Sequence, residues 1–413
     1  MIEIKDKHDC CGCSACVQVC PKQCISFEED ECGFRYPLVD KQTCVECHRC
    51  EKVCPVLNQY EERSPKATYA SYIKDEEIRL NSSSGGLFSA LAHYVITNKK
   101  GIVFGAAFDD NYEVHHIYVE TIEELAKLRT SKYVQSRIEN TYKEVKTFLS
   151  EGRFVLFTGT SCQIAGLKRF LGKEYDNLLT VDVICHGAPS PKVWRDYLEM
   201  LVLRPKGVDG KNTVSSFSRA FPHGMGINFR DKRNGWKKIG FTARLSPVVK
   251  GDKNSAHSPK DQEIIYEPLG ENLFMRYFLS DMGLRPSCYK CAAKKGRSNS
   301  DITLGDFWGI ENIRPDIDDD RGISAILVNT EKGQEVFAEI DVSRYEVNYA
   351  DILRGNPSLE TSKPENKYVM LFWSLYPQKK LNAISIVLRR MRPSFFFRLK
   401  RKIKHIIKRI IKS

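Results

Sequence analysis

The spacing of apolar residues divides the chain into an N-terminal segment with one hairpin and a longer body of alternating strands and helices. The hairpin is predicted by alternating apolar positions at Ile25, Phe27, Phe34, Tyr36 and Leu38. Strand-like apolar runs occupy residues 68–73, 101–108, 114–119, 153–158, 178–184 and 323–329. Helical periodicity occupies residues 87–95, 123–128, 164–171, 271–280 and 332–340. This alternation predicts a mixed α/β (α+β) fold for the body.

Two runs of cysteines flank the predicted hairpin. Each run has the spacing C-x2-C-x2-C-x3-C-P, which is typical of bacterial 4Fe–4S proteins, and in two-cluster modules the fourth cysteine of a run binds the other cluster. We therefore expect one cube on Cys10, Cys13, Cys16 and Cys54, and a second on Cys20, Cys44, Cys47 and Cys50. Zinc and disulfides are the alternatives, but structural zinc usually takes two cysteine pairs rather than runs of four closed by proline. The segment is predicted to be a bacterial-type two-cluster ferredoxin module.

The composition separates the body from the C-terminal tail. The chain has 413 residues, enough for more than one domain, and its 15 cysteines without an export signal favour metal sites in a reducing, cytoplasmic compartment. The net charge is +12, yet eleven cations and no acid lie between Arg389 and Lys412, so the rest of the chain is nearly neutral. Residues 393–413 have the pattern of a basic amphipathic helix, which would contact the inner face of an anionic membrane peripherally. A helix docked on the body or on a partner is the alternative, and no nucleic-acid-binding motif is present.

Four cysteines in the body form a second candidate metal site. With Cys11, Cys24 and Cys32 taken as structural residues of the ferredoxin module, the remaining cysteines are Cys162, Cys185, Cys288 and Cys291. Four is the number that a further 4Fe–4S cube needs. Isolated buried cysteines are also common, so a structural role remains open. A third interpretation makes Cys162 a nucleophile at a helix N-terminus, with His186 as its base.

Two polar segments of the body are candidates for phosphate binding. Ser83, Ser84, Gly85 and Gly86 directly precede a predicted helix, where free backbone N–H groups can bind an anion. Thr130, Ser131 and Lys132 combine hydroxyls with a cation at the end of another helix. An ordinary helix cap in the first case and a solvated loop in the second are the alternatives.

Several body segments resemble the beta-subunit family of coenzyme F420 hydrogenases and dehydrogenases. The matching segments are SSSGG at 82–86, TSKYVQS at 130–136, GTSCQIAGLK at 159–168, ICHGAPSP at 184–191, SCYKC at 287–291 and SDITLGDFWGI at 300–310. The whole chain looks like the form of this family that carries an N-terminal two-cluster ferredoxin module. On this basis we divide the chain into residues 1–60 (ferredoxin domain), 61–145 and 146–350 (the two parts of the body) and 351–413 (a helical region with the basic tail).

The resemblance implies an FAD-binding body that holds a third 4Fe–4S cluster. FAD contacts are expected from the two polar segments and from Gly159, Thr160 and Asp306. The implied function is an oxidoreductase that passes electrons between the clusters and FAD, to or from coenzyme F420 or another acceptor. In bacterial relatives that acceptor could belong to polysaccharide biosynthesis. The partner would be a redox protein or ferredoxin, and the alternative is a non-catalytic electron-transfer subunit of a larger redox complex.

Overall fold

A computed structural model describes residues 1–203, 219–220, 226–247 and 263–391. The amphipathic helix predicted at 393–413 lies outside the described residues, so its proposed membrane contact stays a prediction. Within the described ranges, no helix combines the length and the apolar character needed to cross a membrane.

The described chain forms strands and helices in an order close to the predicted one. The strands are β1 (Ile25–Glu29), β2 (Arg35–Val39), β3 (Ala67–Ser71), β4 (Ile102–Phe108), β5 (Val114–Val119), β6 (Val155–Thr160), β7 (Leu178–Val183), β8 (Arg219–Ala220), β9 (Ile227–Asp231), β10 (Gly240–Pro247), β11 (Glu263–Pro268), β12 (Ile302–Asp306), β13 (Ser324–Val328) and β14 (Tyr345–Glu346). The α-helices of the described residues are α1 (Ala15–Val19), α2 (Arg49–Lys52), α3 (Glu76–Leu80), α4 (Leu87–Lys99), α5 (Leu125–Leu128), α6 (Thr141–Ser150), α7 (Ser161–Leu171), α8 (Pro191–Leu203), α9 (Leu273–Leu279), α10 (Pro286–Tyr289), α11 (Glu331–Glu339), α12 (Tyr349–Gly355), α13 (Val369–Lys379) and α14 (Asn382–Met391).

The N-terminal module contains the predicted hairpin between two short helices. Strands β1 and β2 pair antiparallel, with Ile25 opposite Val39 and Phe27 opposite Pro37. Helices α1 and α2 each contain the third cysteine of a run, and the two helices pack against each other. The hairpin is confirmed, and the cysteine runs lie on either side of it.

The body is built on an eight-stranded mixed sheet with the order β14-β3-β13-β12-β7-β6-β4-β5. The four central strands β12, β7, β6 and β4 are parallel, and the outer strands pair antiparallel. These central strands are almost continuously apolar and buried, as expected for a sheet covered on both faces. Their carboxyl ends meet at one edge, which is where ligands bind in open α/β sheets. The mixed α/β fold class is therefore confirmed.

Helices cover the sheet, and a smaller antiparallel sheet closes its functional edge. Helix α7 packs on β6 and β7, while α4 packs on β4 on the opposite side. Strands β8, β9, β10 and β11 form the smaller sheet, whose core includes Phe229 and Phe241 together with Trp194 from α8. Helices α13 and α14 pack on the same core through Phe372 and Ile384. Strand β9 thus brings the side chain of Arg230 to the edge of the large sheet, next to Asp306 at the end of β12.

Candidate functional site

Four of the eight cysteines in the two runs lie together around one small pocket. Cys20, Cys44, Cys47 and Cys50, which we call the outer set, line one small pocket. Cys47 is exposed, whereas Cys50 is buried and its sulfur accepts a hydrogen bond of 3.3 Å from the backbone N–H of Ile2. The four residues predicted to bind one cube are therefore brought together, with one of them open to solvent.

The other half of the ferredoxin cysteines faces the body. This inner set consists of Cys10, Cys13, Cys16 and Cys54, of which the first three are buried. Burial, followed by the neighbouring Cys10 and Cys54 thiols, raises the pKa of Cys16, and Cys54 also lies beside Cys10. The structure thus groups Cys54 with the first run, as the crossed ligand pattern requires.

The three remaining cysteines of the module occupy different surroundings. The sulfur of Cys24 lies 3.4 Å from that of Cys20 and borders the pocket of the outer set. Cys32 lies beside Asp30 and Glu31, which both pair with Lys7. Cys11 lies in contact with Cys162 of the body. The sequence places Cys11 directly after Cys10, but the cysteine spacing alone did not predict this contact with Cys162.

The four body cysteines converge at the functional edge of the large sheet. Cys162 is the second residue of α7, just after β6, and Cys185 follows the end of β7. Cys288 lies in α10, and Cys291 follows it closely. Burial, followed by the Cys185, Cys291 and Cys162 thiols, raises the pKa of Cys288, and all four cysteines line one cavity. We call these residues the body set.

A cavity of about 820 Å³ connects the body set with the predicted phosphate-binding segments. Its size falls within the range of cofactor and ligand pockets. Cys11 and the whole body set line one end of the cavity. Ser83, Ser84, Gly86 and the 129–136 loop line the rest, together with Gly159, Thr160 and Asp306. The cavity therefore contains nearly all the side chains that the sequence analysis assigned to the body site.

The N-terminus of α4 forms one wall of the cavity. Gly86 caps this helix with φ of 86°, a left-handed conformation that favours glycine. The backbone N–H of Ser131 donates to Ser83 Oγ at 2.8 Å, which joins the two polar segments. Gly85 is different, because it does not line the cavity and its N–H donates to Ser324 Oγ at 3.0 Å. Ser89 Oγ borders the cavity, is buried and has no hydrogen-bond partner among the described residues.

Lys132 places a cation at the junction of the two polar segments. Its ammonium donates to the carbonyl oxygens of Arg129 at 2.8 Å, Thr130 at 3.3 Å and Leu128 at 3.4 Å. Burial lowers the pKa of Lys132 to about 7. Near neutral pH this amine is therefore divided between its charged and neutral forms, and a bound anion would favour the charged form.

Asp306 is held in a network that the sequence analysis did not anticipate. Its carboxylate accepts hydrogen bonds from Arg230 at 2.7 Å and from the Trp236 indole at 3.0 Å. The Trp236 and Trp308 rings stack with their centroids 4.9 Å apart. Arg230 is buried, borders the cavity and leaves its Nε without a partner in the described chain. It comes from β9, 76 positions before Asp306, so no local motif indicated it.

The geometry does not favour the thiol-nucleophile interpretation. His186 Nε2 lies 2.5 Å from Asp281 Oδ1, and no hydrogen bond between His186 and Cys162 is present in the described structure. The adjacent Cys11 thiol, and burial after it, raise the pKa of Cys162 well above its usual value. A thiol nucleophile needs the opposite shift. The Ser161 hydroxyl next to it donates to buried Asp182 at 2.7 Å, which anchors the start of α7 to β7.

Comparisons with known proteins match two separate parts of the chain. Residues 152–351 match the family model for the C terminus of the coenzyme F420 hydrogenase/dehydrogenase beta subunit, and residues 9–58 match the 4Fe-4S dicluster domain. A coenzyme F420-dependent sulfite reductase of Methanocaldococcus jannaschii is 24% identical over 391 residues, which are 90% of this chain and 53% of that protein. The chain thus spans about half the length of this curated relative. A chain of the F420-reducing NiFe hydrogenase complex from Methanosarcina barkeri is 16% identical, with a TM-score of 0.41, and the match covers 80% of this chain and 93% of that chain.

Proposed function

Because residues 152–351 match the family model for the C terminus of the coenzyme F420 hydrogenase/dehydrogenase beta subunit and residues 9–58 match the 4Fe-4S dicluster domain, we propose that the chain is an iron–sulfur flavoprotein oxidoreductase of this family. In this proposal a third 4Fe–4S cube sits on the body set and FAD occupies the rest of the cavity. The observation that carries the proposal is the convergence of four cysteines from three separate segments of the chain into the same cavity as the phosphate-type segments. A structural role for buried thiols does not require such convergence.

The arrangement of the three cysteine sets supports a linear electron path. The outer set is partly exposed at Cys47 and would exchange single electrons with a redox partner protein or ferredoxin. The inner set is mostly buried and faces the body. Cys11 and Cys13 of this face lie against α7, next to Cys162. Electrons would therefore pass from the outer set through the inner set to the body set.

The cavity residues fit a flavin dinucleotide. The N-terminus of α4, with the unpartnered Ser89 hydroxyl beside it, offers donors for a pyrophosphate. Ser83, Thr130, Ser131 and Lys132, which line the same cavity, would also hold that group. Arg230 and the stacked Trp308 lie farther along the cavity, where a planar ring could pack.

A flavin bound here would collect electrons delivered singly and release them as a hydride. The protein would position the flavin beside the body set, because the body set lines the same cavity. Coenzyme F420 is the proposed hydride acceptor or donor, because the related sulfite reductase is F420-dependent. Another acceptor and the link to polysaccharide assembly stay predictions of the sequence.

Metal and flavin analysis of anaerobically purified protein tests the proposal. The expected result is about twelve irons and as many sulfides per chain, three cubes in all, together with one tightly bound flavin. The non-catalytic electron-transfer subunit predicts about eight irons and no flavin. Finding that second composition would overturn the proposal.

Lys132 should make flavin binding depend on pH. Because the pKa of Lys132 is about 7 without an anion, binding of a pyrophosphate above pH 7 requires proton uptake. Flavin affinity should therefore fall as pH rises above 7, by up to about tenfold per pH unit. Fluorescence titration of the deflavinated protein at several pH values measures this slope.

The matched variants for this test are Lys132→Met and Lys127→Met. Lys132→Met should bind flavin more weakly at pH 6 and lose most of the pH dependence. Lys127 is exposed and pairs with Glu124, so its replacement should keep the wild-type slope. A wild-type affinity that is constant from pH 6 to 9 would contradict a role for Lys132 in anion binding.

A further inference from the structure

Arg285 is a buried arginine that lies in the same segment as Cys288 and Cys291 of the body set. It is 1% exposed and immediately precedes α10. Its N–H donates to the carbonyl of Ala188 at 2.8 Å, and its own carbonyl accepts from the N–H of Cys288 at 2.8 Å. The position of this backbone is therefore fixed relative to Cys185 and Cys288.

The side chain of Arg285 crosses into the ferredoxin module. Its Nε donates to the carbonyl of Cys10 at 2.7 Å, and its Nη2 lies 3.4 Å from the Cys10 sulfur. Nη2 also donates to the carbonyl of Arg35 at 2.9 Å, and the guanidinium lies 4.4 Å from the centre of the Tyr36 ring. One residue thus contacts both the inner set and the loop that carries the body set.

A second contact fixes the guanidinium from the body side. Its Nη1 donates to Gln135 Oε1 at 3.1 Å, and Gln135 Nε2 donates to the carbonyl of Cys11 at 3.1 Å. A Cβ at Gly12 would lie 2.7 Å from Gln135 Nε2 and 2.9 Å from Arg285 Nη1. Glycine in the CCGC segment therefore lets the backbone of the ligand loop approach these two side chains closely.

The hydrogen-bond partners of Arg285 leave its charge uncompensated. They are carbonyl oxygens, one amide and one cysteine sulfur, and within the described residues no carboxylate forms an ion pair with it. An isolated buried charge is costly, so burial of a guanidinium requires an anion nearby. A cluster on the inner set supplies that anion, because a coordinating thiol is deprotonated.

We propose that Arg285 sets the reduction potential of the cube on the inner set and holds that cube against the body. This inference rests on the ligand assignment given above. A cation beside the cluster stabilises the reduced state, which carries one more negative charge, and hydrogen bonds to ligand sulfurs are among the factors that set cluster potentials. Arg285 is a positioning residue that makes the inner cube easier to reduce than it would be with neutral surroundings.

Redox titration followed by electron paramagnetic resonance tests this inference on the full-length protein. In Arg285→Gln, the reduction equilibrium of one ferredoxin cluster should become at least tenfold less favourable, which corresponds to a downward shift of about 59 mV. The other ferredoxin cluster should keep its potential. Arg285→Lys keeps the charge but loses the fork of donors, so a smaller downward shift is expected. Arg354→Gln, at a 70% exposed arginine, is the matched control and should leave all potentials unchanged.

The outcomes separate this inference from the proposed function. Unchanged potentials in Arg285→Gln, with wild-type iron and sulfide content, would overturn the role of Arg285. If Arg285→Gln does not fold, unchanged potentials in Arg285→Met, which is also neutral, would do the same. A wild-type protein with two ferredoxin clusters but no flavin or third cluster would overturn only the proposed function. The role of Arg285 could still be measured, because electron paramagnetic resonance detects the cube on the inner set directly.

Discussion

Replacement of Cys288 by serine should remove about four of roughly twelve irons per chain while the ferredoxin clusters remain. Cys288 is one of four cysteines that converge in the cavity, and a serine hydroxyl is a poor substitute for a thiolate on iron. Electron delivery from the reduced ferredoxin module to bound flavin should slow by at least about tenfold, since losing even groups outside the ligand sphere often costs 10–100-fold. Iron and sulfide assays together with stopped-flow flavin absorbance measure these two effects.

Cys32→Ser is the matched control for this experiment. Cys32 lines neither the pocket of the outer set nor the cavity, so its replacement should leave iron content and flavin reduction unchanged. An unchanged iron content in Cys288→Ser would show that the body set is structural. A Cys162→Ser variant that loses activity but keeps all its iron would instead support the thiol-nucleophile interpretation.

The cysteine sets and the sheet edge follow from information that is local in the sequence. The cysteine spacing defines each ferredoxin run, and Cys54 lies near Cys10 and Cys16 of the first run, while its binding to a cube there stays a prediction. Cys162 and Cys185 each follow a predicted buried strand, and parallel strands bring their carboxyl ends to one edge. The convergence of these two cysteines is therefore a consequence of the strand pattern alone.

Strand β12 and helix α6 are among the body elements that the sequence did not predict, because their local signals are weak. Strand β12 contains Gly305 and ends at Asp306, and it becomes a strand because β7 and β13 pair with it on both sides. Helix α6 has only a narrow apolar stripe through Tyr142, Val145 and Leu149, which packs beneath α7. In both cases tertiary packing supplies the preference that the local sequence lacks.

The contacts that join the module to the body depend on residues far apart in the chain. Arg285 reaches Cys10 across 275 positions, and Arg230 reaches Asp306 across 76 positions. No periodicity or motif reports such a contact in a single sequence. The candidate ligands could therefore be proposed from the sequence, whereas the groups that contact them could not.

Gly166→Leu should weaken the docking of the ferredoxin module on the body. Gly166 lies in α7, and a Cβ added there would lie 2.9 Å from Cys13 Cβ, 3.0 Å from Cys13 Sγ and 3.0 Å from the Tyr142 hydroxyl. Cys13 cannot yield easily if its sulfur holds iron. Overpacking of this kind typically costs about 1–3 kcal/mol of unfolding free energy. Denaturant unfolding and single-turnover flavin reduction should both report the change, the first as a lower midpoint and the second as a slower rate.

Helix propensity provides an internal check on this interpretation. Leucine is favoured over glycine in a helix interior by nearly 1 kcal/mol, so a net loss of stability must come from the contact with Cys13 and Tyr142. Gly270→Leu is the matched control, because a Cβ at Gly270 meets no atom within 4 Å. If both variants reduce flavin at the wild-type rate, Cys13 does not depend on close contact with α7. If only Gly166→Leu reduces flavin slowly, and its iron content stays complete, electron transfer between the module and the body requires their close approach.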